Sequence, residues 1–257
     1  MRVPLSSTYR MFPIVTLLAL LGCGTESKQP ALAPLSSTAL AVQTADAAAA
    51  GSVSLPFDPA NFAHGVENPY FPLIPGMIQT YRQETPAGVE TNTVEVTRQT
   101  KMILGVRTTV VHDQVFLEGS LKEDTFDWYA SDKDGNVWYL GEDTNELGPP
   151  VSTTGSWEAG QGGAQAGIIM LAHPMMGDTY YQENAPGVVA DQARVKSLNE
   201  TAVVPLGTFT GCVKTQEWTP IEPGNRAYRY FASGFGTVLE VPNHGGGPVE
   251  LTGFSKP

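Results

Sequence analysis

The chain has 257 residues, 41% of them apolar and 16% charged, with a formal net charge of −11. That length allows one large domain or two small ones with a real core. Without any basic run to contact phosphates, nucleic acid is excluded as a partner, and so is direct attraction to an anionic membrane surface. The 27 glycines and 20 prolines, with many Thr and Val, point to an all-β chain rich in turns and poor in helix.

The first segment reads as targeting rather than fold. Arg2 and Arg10 form a positive head, and the apolar run from Met11 to Leu21 is too short for a permanent membrane span. It ends in Leu20-Leu21-Gly22-Cys23, which resembles the lipobox of bacterial lipoproteins. The resemblance implies a signal peptide over residues 1–22 and lipidation of Cys23, which would tie the mature chain to a membrane. Gly24, where an Asp would retain the protein at the inner membrane, implies sorting to the outer membrane of a two-membrane bacterium. The alternative is an ordinary signal peptide that contains a Cys. Cys212 is then left without a partner for an intrachain disulfide, and its place in an alternating run makes it a small strand residue.

Residues 23–55, rich in Ala, Ser, Thr and Pro, cannot bury a core and read as a flexible tether. A single β domain is expected over 56–257. The prolines of Asn68-Pro69-Tyr70-Phe71-Pro72-Leu73-Ile74-Pro75 hold that stretch extended, and its aromatics are expected to seal an edge or end of the sheet.

From there the sequence reads as an internal duplication over about 77–141 and 178–242. Thr80-Tyr81-Arg82-Gln83-Glu84 aligns with Thr179-Tyr180-Tyr181-Gln182-Glu183, and Tyr129-Ala130-Ser131 with Phe231-Ala232-Ser233. Each copy gives five strands, near 77–84, 92–99, 106–117, 122–130 and 136–141, then near 178–184, 189–198, 208–219, 226–233 and 237–242. Period-two alternation, as in Val106, Thr108 and Val110, supports them. Two five-strand antiparallel meanders would form one sandwich or partly open barrel. Between them, 142–177 reads as a long loop of the kind that carries function.

The stretch from Asp127 to Asp143 reads as a hairpin with two aromatic arms around Asp132-Lys133-Asp134-Gly135-Asn136. The duplication sorts its residues. Asp127 aligns with Arg229, the acidic turn with Gly234-Phe235, and Glu142-Asp143 with Asn243-His244. Its acidity is thus peculiar to the first copy.

Three chemistries follow. Asp132, Asp134 and Asn136, with Asp143 at the twelfth position, partly match a calcium loop, so Ca2+ is the one cofactor weighed; an Asp-Gly turn explains the same residues. Asp127, Glu142 and Asp143 are expected to converge and could act as acid and base or form a solvated sheet edge. Glu158 and His173 in the long loop are further catalytic candidates. Trp128, Trp138 and Trp157 are the candidate ligand-binding aromatics. No nucleophile elbow, phosphate loop, dinucleotide fingerprint, zinc spacing or haem motif is present.

The motifs Asp127-Trp128-Tyr129-Ala130, Gly135-Asn136-Val137-Trp138-Tyr139, Gly141-Glu142-Asp143 and Gly155-Ser156-Trp157-Glu158-Ala159-Gly160 resemble an uncharacterised family of bacterial exported β proteins. The resemblance runs from about Asn68 to Glu240 and implies no activity. Three readings follow: an envelope domain binding a small or apolar ligand or a protein partner without catalysis, a hydrolase or isomerase using the carboxylates and His173, or a structural envelope component.

Overall fold

The computed structural model describes residues 51–257; the expected signal segment, Cys23 and most of the expected tether lie outside it. Among the described residues, the helical content is one 3-10 turn, Pro59–Asn61. All ten expected strands are present: β1 (Ile78–Thr85), β2 (Gly88–Ile103), β3 (Val106–Leu117), β4 (Ser120–Ser131) and β5 (Val137–Glu146) in the first meander. The second comprises β8 (Thr179–Tyr181), β9 (Gln192–Val204), β10 (Gly207–Trp218), β11 (Arg226–Ala232) and β12 (Gly236–Pro242).

Three strands were not expected. The loop over 142–177 is partly strand: β6 (Trp157–Glu158) and β7 (Gly167–Met170) both pair with β5. At the far end of the chain, β13 (Val249–Ser255) lies between β1 and β12 and joins the two meanders. The order is β6-β5-β4-β3-β2-β1-β13-β12-β11-β10-β9-β8, antiparallel throughout. These strands escape a reading by alternation because β6 and β7 are too short to show a period, and β13 carries Gly253 in its run.

The sheet curls into a partly open barrel. Continuous pairing does not close it, but the ends meet where Gln165 N–H donates to the Asn184 carbonyl at 2.8 Å. Gly167 permits this approach: a Cβ there would lie 2.1 Å from the Gln182 carbonyl oxygen.

Alternate residues of each strand face the interior. Toward the end where β2 turns into β3, that interior is apolar, with Val94, Val96, Val111 and Tyr129, and Phe71 packs on Tyr129 at 5.1 Å between centroids. The proline-rich stretch caps this end as expected, fixed by Gly234 N–H to the Pro69 carbonyl and by Asn68 Nδ2 to the carbonyls of Gly135 and Leu171. Toward the opposite end the interior turns polar, with buried Gln83, Glu90, Asn92, Glu123, Thr144 and Glu217.

Candidate functional site

The hairpin β4–β5 has the expected turn at 132–136. Asp132 is fully engaged in shaping it. One carboxylate oxygen accepts the N–H groups of Asp134 (3.0 Å) and Asn136 (2.9 Å); the other accepts Asn136 Nδ2 (2.8 Å) and Trp138 Nε1 (2.9 Å). With four donors on Asp132 and Asp134 turned to solvent, these residues make an Asp-centred turn. No group of three or more His, Cys, Asp or Glu is arranged to hold a metal ion among the described residues.

The structure brings together two of the five catalytic candidates. Asp127 and Glu142 are direct cross-strand partners, each 1% exposed, on the inner face of the barrel. Between them stands Tyr139, whose hydroxyl donates to Asp127 Oδ1 at 2.5 Å and lies 3.4 Å from Glu142 Oε2. Burial, then the Asp127 charge, pushes the Tyr139 phenol well above its ordinary range, so it stays a donor.

The other three candidates lie elsewhere. Asp143 is the next residue along β5, so the strand's period of two turns it to the outer face, where it is exposed. Glu158 forms an ion pair with Lys101 at 2.7 Å. His173 is exposed in the connection after β7. The solvated-edge alternative also fails for Asp127 and Glu142, because the edge of β5 is covered by β6.

Two acids that the spacing did not single out complete the group. Glu183 is 1% exposed and accepts a hydrogen bond from Trp157 Nε1 at 2.9 Å; Asp191 is 4% exposed. Burial, then repulsion from Asp191 and Glu142, raises the Glu183 carboxyl well above the usual carboxylate range. The sequence signal for Glu183 was its place in the aligned Gln182-Glu183 and Gln83-Glu84 pairs. A two-residue polar match does not say which of its members faces inward.

The equivalent hairpin of the second meander, β11–β12, has the opposite chemistry. Arg229 is opposite Glu240, as Asp127 is opposite Glu142. By strand register, the residue that stands to Arg229 as Glu142 stands to Asp127 is Glu240, not the Asn243 of the sequence alignment, because the second hairpin has a shorter turn. Arg229 Nη2 meets Glu240 Oε2 at 2.6 Å, and Arg229 Nη1 meets Glu217 Oε2 at 3.1 Å. Burial opposes the charge on Arg229, but Glu217 and Glu240 outweigh it and hold the guanidinium protonated. Burial pushes Glu240 up to about 7 against the pull of Arg229.

The three candidate tryptophans are all buried. Trp138 packs on Phe57 and Phe62 at 5.6 and 5.7 Å, covering the outside of the sheet with the chain that leads into it. Trp128 lies under Lys101 Nζ at 3.2 Å from its ring centroid. Trp157 meets Tyr139 edge-on at 5.4 Å. Beside Asp127 and Tyr129 the interior leaves a cavity of about 20 Å³, lined also by Phe71, Met77, Gln79 and Thr237. That is room for about one water molecule, far below the several hundred Å³ that an organic ligand needs.

No family model matches the chain, and no curated protein matches it. Among solved structures, the crystal structure of a candidate lipoprotein from Parabacteroides distasonis is similar over 74% of this chain and 99% of that chain, at 10% identity and a TM-score of 0.40. A likeness that loose assigns no role.

Proposed function

We propose that this chain is a lipid-anchored binding domain of the bacterial cell envelope that works without catalysis. The observation that carries the reading is the sealed interior. The acids Asp127, Glu142 and Glu183 are each 1% exposed. The cavity beside Asp127 admits about one water, which supports an interior too tight for a substrate. Binding at the outer surface is the alternative that such a molecule leaves open, and the closed interior favours it over carriage of an apolar ligand inside the barrel.

The anchor rests on the sequence. Gly22-Cys23 after the apolar run supports lipidation of Cys23, and Gly24 supports delivery to the outer membrane. A diacylated N-terminus would hold the domain at the membrane without a spanning helix. The test is metabolic labelling with an alkyne fatty acid followed by membrane fractionation. The full-length chain should take the label and sediment with outer membranes, and Cys23→Ala should lose both. Unlabelled wild-type protein, cleaved elsewhere and released, would contradict the anchor.

A further inference from the structure

The outer face of the second meander differs from the rest of this acidic molecule. Residues 194 and 196 of β9, 214, 216 and 218 of β10, and 226, 228 and 230 of β11 all alternate outward. They are Arg194, Lys196, Lys214, Gln216, Trp218, Arg226, Tyr228 and Tyr230, so four of the chain's 15 Lys and Arg share one face with three aromatics. Register sets them side by side: Arg194 opposite Gln216, Trp218 opposite Arg226, and Gln216 opposite Tyr228. Lys214 Nζ lies 4.7 Å from the Tyr228 ring and 5.0 Å from the Tyr230 ring. Within the face is a cleft of about 210 Å³ lined by Arg194, Gln216, Trp218 and Arg226.

Extending the binding reading above, we propose that this cleft binds a small acidic sugar, a ring that carries a carboxylate or phosphate. Trp218 supplies a flat apolar platform for the ring, and its neighbour Gln216 offers an amide that both donates and accepts. Arg194 and Arg226 flank them diagonally, roughly 12 Å apart at Cα from strand and residue spacing. Guanidinium groups pair bidentately with carboxylate and phosphate oxygens. The cleft is smaller than the usual drug-sized pocket, which suits one ring. The chain's net charge of −11 repels a long polyanion, while four local cations attract a ligand with one or two charges.

Trp218 also provides the readout. Trp128, Trp138 and Trp157 are 7%, 4% and 6% exposed, whereas Trp218 is half-buried, so collisional quenchers report on Trp218. The full-length chain in uncharged detergent at low salt should be quenched about twofold more strongly by iodide than by caesium, and Arg194→Gln with Arg226→Gln should erase the difference. Both arginines are exposed, so the fold should survive, as thermal melting will verify. Galacturonate or glucose 6-phosphate should then shield Trp218 from neutral acrylamide, while galactose and sulfate at the same concentration should not. Caesium quenching as well as iodide would overturn the proposal, as would shielding by sulfate or galactose equal to that by the acidic sugars, or by none of the four. The anchor at Cys23 plays no part in this readout, so its failure and that of the cleft can be told apart.

Discussion

The hairpins β4–β5 and β11–β12 each place an ionisable cross-strand pair on the barrel wall, with opposite solutions. In the second, Arg229 stands between Glu217 and Glu240, and the buried charges compensate one another. In the first, Asp127 and Glu142 have Glu183 and Asp191 as further company, and Tyr139 and Trp157 supply neutral donors. Desolvation decides between the two. Glu183, repelled by Asp191 and Glu142, is pushed well above the usual carboxylate range, while the pull of Arg229 limits Glu240 to about 7. The first cluster therefore depends on the proton held at Glu183, and the second on the Arg229 cation between two acids.

Breaking the triad should cost the most. Arg229→Met leaves Glu217 and Glu240 buried without their cation, and we expect a loss of about 3–5 kcal/mol in urea unfolding. The equivalent cut in the first hairpin is smaller. Tyr139→Phe removes the donor to Asp127 while keeping the ring stacked on Tyr129, and should cost about 1–3 kcal/mol by the same measurement.

Acidity acts on both clusters. The Glu183 carboxyl titrates higher in the folded than in the unfolded chain, so the folded state binds more protons between those two values. Its stabilising contribution is present below the unfolded value of 4.5 and is lost as pH rises through the folded value. Glu240, raised to about 7, adds to the same trend, so melting temperature should fall from pH 5 to pH 8. Glu183→Gln, which can still accept from Trp157, should flatten that slope and raise stability at pH 8. The smallest effect is expected on the outside. Lys101→Met removes a partly exposed ion pair to Glu158 and a cation from the face of Trp128, for about 0.5–1 kcal/mol.

The sequence carried the strand pattern well, because alternation such as Val106, Thr108, Val110 is imposed by a wall with one buried face. It also identified Asp127 and Glu142 as neighbours, since hairpin register follows from the turn. What it concealed lay in partners distant along the chain. Glu183 approaches Trp157 only because β8 and β7 meet at the ends of the sheet, and no local period records that. Arg229 was visible in principle, as a charge in the inward phase between Ala227 and Phe231, but its aligned position beside Asp127 suggested a difference in function. The structure shows a difference in how buried charge is compensated. Asp143, Glu158 and His173 looked like site residues because they are near in sequence, yet strand alternation and the path of the long loop separate them from Asp127.

The closure of the interior is the claim on which the functional reading stands, and carbodiimide footprinting of the native chain with glycine ethyl ester, read by peptide mass spectrometry, tests it directly. Exposed Asp143 and half-exposed Glu158 should be modified, while Asp127, Glu142, Glu183 and Glu240, each 1% exposed, should remain unmodified until the chain unfolds. Modification of Asp127 or Glu142 in the folded protein at a rate similar to Asp143 would mean an interior open to solvent and substrate, and would contradict the account.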